Sequence, residues 1–197
     1  MYFCVTSPIK VRLIEQMEQN ESHIISRILA GRTEEFSYFL DTYGQAVFTL
    51  IVRMVYSEED AEELTQDVFM KAFEHLDSFY GESSFSTWVY RIAYNTAVSY
   101  LRKKKSVETV IDEAFWNTVS ETEVDEAFDD DSEERVEQLQ QALTQLSADE
   151  RALVTLFYEE ERPVQEVAEV LGLSVSNVKV KLHRVRKKLY ILMQKEE

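Results

Sequence analysis

One cysteine, two prolines and four glycines stand in 197 residues, and each scarcity excludes something. Cys4 has no partner within the chain, which fits a reducing compartment and rules out an internal disulfide or a Cys-based zinc site. So few turn formers argue against a turn-rich β architecture and favour helices, because β folds need a turn every ten residues or so. No apolar run reaches the length of a membrane span, and Met1 to Lys10 lacks the apolar core of a signal peptide, so a cytoplasmic location is expected. Histidine occurs only at 23, 75 and 183. That leaves no His-Glu-x-x-His set and no Cys-His pair, and there is no glycine-rich phosphate loop. Neither catalytic nor metal-ligating residues are expected, and no cofactor or small-molecule substrate. The acidic cluster Asp129 to Glu134 lacks the central glycine of a calcium loop and reads as a solvated charge run.

What is abundant is negative charge, −16 in all, and it is unevenly placed. Residues 1–105 carry −4, residues 106–137 carry −12 and residues 138–197 are neutral. The whole-chain charge therefore says little about the surfaces on either side of the acidic segment. Self-repulsion and a shortage of apolar partners make that segment a linker. The expected organisation is an extension over 1–23, a helical domain over 24–105, the acidic linker over 106–135 and a second helical domain over 136–197. The fold class is all-α.

Helical periodicity fills in both domains. Phe36, Phe39, Leu40, Tyr43, Val47, Leu50, Ile51 and Met54 share one face, with Thr33 as N-cap. Ser57 followed by Asp60 starts a second helix that buries Ala61, Leu64, Val68, Ala72 and Leu76. A third runs from Phe85 to Lys104 after a turn at Gly81. The first twenty residues show only weak periodicity and read as a loosely docked extension. Beyond the linker, Ser147 and Glu150 make a capping box, and Val164, Val167, Ala168 and Leu171 form a stripe that ends at Gly172. Val178, Leu182, Val185 and Leu189 form the next stripe. The tight turn between these two makes them cross, which is a helix-turn-helix.

Two stretches carry chemistry. Phe79, Tyr80, Phe85, Trp88, Tyr90, Tyr94 and Tyr100 lead into the cationic run Arg102, Lys103, Lys104, Lys105. Rings stack on unpaired bases at about 1–3 kcal/mol each while cations follow phosphates, so this combination suits opened rather than closed nucleic acid. By spacing, Phe85, Trp88, Val89, Ile92, Thr96 and Tyr100 share one side, and Trp88 there is more often a packing residue than a base platform. Arg91, Tyr94, Asn95, Val98 and Arg102 share another. The final helix bears Lys179, Lys181, His183, Arg184, Arg186, Lys187 and Lys188 and meets no acid before Glu196. Its side away from the apolar stripe can enter a major groove.

The stretches Asp60 to Phe73, Phe79 to Lys105 and Gly172 to Arg186 resemble the extracytoplasmic-function sigma factors of bacterial RNA polymerase, in that family's order. The resemblance implies an initiation factor whose region 2-like domain docks on the clamp helices of the polymerase largest subunit and opens promoter DNA at −10. Its region 4-like domain would read the −35 duplex. Core polymerase and promoter DNA would be its partners, with an anti-sigma factor as regulator. The implied polymerase face is Asp60, Glu62, Glu63, Gln66, Asp67 and Met70, a face that also reads as a plain solvated helix surface. A flipped −10 base needs an aromatic wall and polar groups for its Watson–Crick edge, which Phe79, Ser83, Ser84 and Asn95 supply, with Arg91, Tyr94, Arg102, Lys103, Lys104 and Lys105 beside them. The implied −35 set is Ser174, Asn177, Lys179, Val180, Lys181, His183, Arg184 and Lys187. Val180 and Lys181 stand where the family more often has a small polar residue and arginine, so a −35 sequence preference does not carry over. The rival reading is a helix-turn-helix regulator that binds duplex DNA only.

Overall fold

The computed structural model describes residues 8–104, 128 and 132–194, and every regular element among them is helical. Lys105 and most of the acidic linker lie outside the described residues. In chain order the α-helices are α1 (Pro8–Leu29), α2 (Ser37–Val55), α3 (Glu58–Glu74), α4 (Phe85–Lys104), α5 (Glu133–Thr144), α6 (Ala148–Val154), α7 (Val164–Leu171) and α8 (Val175–Gln194).

Serine starts most of them. The hydroxyls of Ser57, Ser84, Ser132, Ser147 and Ser174 each accept from the backbone N–H three residues on, at 3.2–3.4 Å. Each satisfies one of the orphan donors of a helix's first turn, worth about 1 kcal/mol. At Ser147 the capping box is complete, because the Glu150 carboxylate accepts from the Ser147 N–H at 2.7 Å. Gly172 ends α7 at φ 66°, the left-handed position that lets α8 turn back across it. Tyr56 ends α2 in the same conformation, at φ 54°, where a tyrosine costs about 1–2 kcal/mol. Thr33 caps no α-helix: it opens a 3-10 turn, Thr33–Phe36, and α2 starts at Ser37 with no side-chain cap. The turn drives Phe36 inward, where its ring meets those of Phe39 and Phe73.

The extension is where the fold departs most from the periodicity. α1 begins at Pro8 and runs across the expected boundary at 23/24 without a break. Proline suits the first turn of a helix, and no other proline or glycine interrupts the span. Ile24, Ile25 and Ile28 are buried, and the buried Glu21 carboxylate accepts from the Tyr43 hydroxyl of α2. These contacts anchor the last two turns of α1 to the rest of the domain.

Helices α2, α3 and α4 pack on one another around Phe39, Val47, Leu50, Met54, Val68, Phe85 and Val89. The Phe39 and Phe85 rings stack at 3.9 Å. Helices α5 to α8 enclose Leu153, Leu156, Val167, Val178, Leu182, Val185 and Met193. The buried residues of the two halves form one continuous apolar cluster.

One cation of α8 belongs to that interior. Lys188 is 4% exposed, and its ammonium donates to the Glu150 carboxylate at 2.6 Å. The pair ties α8 to the capping box of α6. Lys188→Met is expected to destabilise the fold by about 3 kcal/mol, because it leaves a largely enclosed carboxylate without its cation, and Lys188→Met combined with Glu150→Gln should recover much of the loss. Urea unfolding midpoints check this. An unchanged midpoint in the single variant would show the pair to be incidental.

Candidate nucleic-acid interface

On α4 the predicted residues divide. Arg91, Asn95 and Arg102 are exposed on one side, and Lys103 is exposed beside them. Tyr94 is turned the other way: its hydroxyl donates to Asp149 on α6 at 2.9 Å. Burial and then the Asp149 charge raise this phenol, so at neutral pH it is a protonated donor. Lys104 donates to Asp60 on α3 at 3.1 Å and to the Tyr100 hydroxyl at 2.9 Å. Hydrogen bonds with Tyr100, Ser57 and Lys104 hold the Asp60 carboxyl below its ordinary range. The start of the predicted docking face, Asp60, and one member of the cationic run, Lys104, are therefore in direct contact.

In the turn before α4, the ring of Phe79 sits 5.3 Å from that of Trp88 and 5.8 Å from that of Phe85, half-buried as a wall rather than a free platform. Trp88 is half-buried too, with one side on Phe85. Ser84 is occupied as the cap of α4 and bonds the hydroxyls of Ser86 and Thr87. The Ser83 hydroxyl donates to the Ser84 carbonyl at 3.4 Å. Tyr80, counted from the sequence among the aromatics suited to opened nucleic acid but not singled out, is 82% exposed beside Gly81, whose φ of 72° makes the turn. An aromatic immediately before a glycine turn was the signal for it: the turn lifts the ring off the core.

Ser174, just before α8, and Asn177, Lys179, Val180, Lys181, His183 and Arg184 on it are exposed, and Lys187 is half-buried. Val178, Leu182, Val185 and Leu189 are buried against the rest of the helix-turn-helix. The Ser174 hydroxyl is spent on capping α8. Phe128, from the acidic segment, places its ring 5.5 Å from the Arg186 guanidinium. On α3, Glu62, Glu63, Gln66, Asp67 and Met70 are exposed together, Met70 at 61%.

The two halves meet along a polar seam that periodicity does not reveal. The Arg151 guanidinium donates to the carbonyls of Arg53 at 2.6 Å and Met54 at 2.7 Å, at the end of α2, and to that of Leu146. It also lies 4.3 Å from the ring centre of Tyr56, whose hydroxyl donates to the Leu143 carbonyl. These contacts offset the left-handed backbone at Tyr56. After α6 a π-helical turn, Thr155–Glu159, points Glu159 at Arg53, 3.3 Å away. Just beyond it, Glu160 accepts from the Tyr90 hydroxyl at 2.7 Å. Arg162 lies over the Tyr90 ring at 4.8 Å and donates to Ser86, and Glu166 accepts from Thr87 at 3.1 Å. Among the described residues, no group of three or more His, Cys, Asp or Glu could hold a metal ion.

Comparison with known proteins gives a consistent result across both halves. The model of sigma-70 region 2 matches residues 39–107, and that of sigma-70 region 4 matches residues 136–189. The ECF RNA polymerase sigma factor SigW of Bacillus subtilis is 30% identical over 181 residues, covering 88% of this chain and 96% of its own length. The ECF RNA polymerase sigma-E factor of Escherichia coli K12 is 31% identical over 171 residues, covering 83% and 88%. Among solved structures, CnrH in complex with the cytosolic domain of CnrY shares the fold with a TM-score of 0.62 at 22% identity, covering 88% of this chain and 97% of its own. The sigma factor RpoE of Bartonella quintana, in complex with the anti-sigma factor NepR, shares it with a TM-score of 0.57 at 23% identity, covering 82% and 98%.

Proposed function

The chain belongs to the extracytoplasmic-function sigma factors of the sigma-70 family, and on that premise we propose how its own residues divide the work. As a sigma factor it binds core RNA polymerase and promoter DNA. Region 2 melts the −10 element, region 4 binds the −35 element, and the protein initiates transcription without being an enzyme.

Arg91, Asn95 and Arg102 on α4, with Lys103 to Lys105, take the −10 strand as it leaves the duplex. Phe79 with Ser83 and Ser84 forms the wall of a pocket for an extruded base. The cost of extrusion, a few kcal/mol, is repaid by stacking and edge contacts. Lys179, Val180, Lys181, His183 and Arg184, with Asn177 and Lys187, enter the major groove of the −35 duplex. Ser174 acts there as a cap first. The proposed domain bounds are 24–105 for region 2 and 136–197 for region 4, with 106–135 as the acidic linker and 1–23 as an extension. The expected compartment is the cytoplasm. An anti-sigma factor is a further expected partner, since both solved relatives named above are held in complexes, RpoE with an anti-sigma factor and CnrH with the cytosolic domain of CnrY.

The observation that carries this reading is the pair of exposed cationic faces on separate domains, one beside an aromatic turn and the other on a helix-turn-helix. A duplex-only regulator would use the second and leave the first without a task. In vitro transcription from genomic fragments with core polymerase tests the reading: start sites should appear only when this chain is added.

The polymerase face proposed is Asp60, Glu62, Glu63, Gln66, Asp67 and Met70. Asp67 is exposed and holds nothing in the core, so Asp67→Lys is expected to weaken core binding by about tenfold while leaving −35 duplex binding intact. A pull-down titration that gives unchanged affinity would move the docking face elsewhere.

A further inference from the structure

Val180 is 47% exposed on α8. It stands midway between the buried Val178 and Leu182, about 200° of helical turn from each, so its side chain leaves the helix opposite the packed stripe. The exposed residues around it are polar: Ser176 and Asn177 one turn before, Lys179 and Lys181 on either flank, His183 and Arg184 one turn after. A lone exposed valine is ordinary on a protein surface. This one occupies the centre of the face that a major groove receives, where the approach to base edges is closest.

The chemistry of the side chain decides what it can meet there. With neither donor nor acceptor, it cannot read a base edge by hydrogen bonding. Base edges in the major groove present donors, acceptors and one apolar group, the C5-methyl of thymine. Valine is also short, so contact requires α8 to sit deep, and a groove about 12 Å wide admits a helix about 10–12 Å across. Being β-branched, it holds one χ1 rotamer in a helix and loses little freedom on contact. Lys179 and Lys181 leave the helix about 100° to either side of it, where their long stems reach the phosphates that wall the groove.

Building on the sigma-factor reading, we propose that Val180 is a specificity-determining residue that reads the −35 element through a thymine methyl. Arg184 lies one turn further along α8, a rise of about 6 Å, and bases are spaced at about 3.4 Å, so that thymine falls within about two base pairs of the base that Arg184 contacts. The cations of α8 hold any duplex. Val180 discriminates among duplexes, because a base donor or acceptor pressed against its methyls loses water without gaining a partner.

The test removes methyls from each partner in turn. The probe is the duplex of a promoter mapped by the transcription experiment, bound by the full chain together with core polymerase. Each thymine of its −35 element is replaced singly by uracil, which keeps every hydrogen-bonding group and lacks only the methyl. At one thymine, uracil should weaken binding by about fourfold, the contribution of one buried methyl. Val180→Ala should weaken binding of the thymine duplex by about fourfold or more and then bind thymine and uracil duplexes equally, so the two losses do not multiply. Val180 is no part of the buried core, so alanine there leaves the fold as it is. A loss on uracil that persists in Val180→Ala would come from duplex shape and overturn the contact, as would the absence of any sensitive thymine. In both cases the sigma function stands. Failure to bind or start at any promoter would overturn that function and the assignment of Val180 with it.

Discussion

Asn95→Ala is expected to cut promoter opening by about ten- to a hundredfold and to leave binding at −35 as it was. The amide is exposed on α4 with no role in packing, so on the proposed assignment its loss should be felt at the extruded base alone, whose polar edge would be left unpaired at a cost of about 1–3 kcal/mol. Permanganate footprinting reads the open bases directly. A template already melted at −10 restores part of the activity, since the unstacking cost has been met beforehand. Asn95 is a cleaner probe than Phe79, because truncating the latter also removes ring contacts with Phe85 and Trp88. Normal opening by Asn95→Ala would assign the aromatic stretch to packing and favour a regulator that binds duplex alone.

Arg184→Ala should fail at the other element. Arg184 is exposed on α8 between the buried Leu182 and Val185, a position from which a guanidinium reaches base edges while the helix stays seated. Loss of the proposed bidentate contact to a base is expected to weaken duplex binding by about 1–3 kcal/mol, or roughly five- to 150-fold, with no rescue by a melted template. Electrophoretic mobility shifts on −35 duplexes measure it. A uniform small loss across all duplex sequences would make Arg184 a phosphate ligand instead of a reader of bases.

The sequence was most legible where one residue type decides one local event. Phe85 and Lys104 bound the third helix because the Gly81 turn precedes it and its apolar spacing then runs unbroken. Ser57, Ser147 and Gly172 mark ends because a hydroxyl or a missing Cβ is what those ends need. The region 4 stripes were legible for the same reason, since Val178, Leu182, Val185 and Leu189 are all buried. What escaped was polar and distant. Tyr90 lies 70 residues from Glu160, and Thr87 lies 79 from Glu166. No periodicity links such pairs, since a hydroxyl that bonds across a seam looks in sequence like one that faces water. The helix over Pro8–Leu29 escaped because the chain's first twenty residues show only weak apolar periodicity, while Ile24, Ile25 and Ile28 are buried near the helix end. Tyr80 was counted among seven aromatics, but only the turn geometry separates its exposed ring from the packed ones.

Lys188 has a consequence for ionic strength. A protein's grip on duplex DNA loosens as electrolyte is added, because each phosphate it neutralises had released a condensed counterion, and for each tenfold rise in salt the logarithm of affinity falls by about 0.9 per such neutralised phosphate. The charge of Lys188 is already spent on Glu150 inside the fold, so it displaces no counterion. Binding at −35 is therefore less sensitive to electrolyte than a tally of the cations on α8 would indicate, and the cations of its exposed face set that sensitivity.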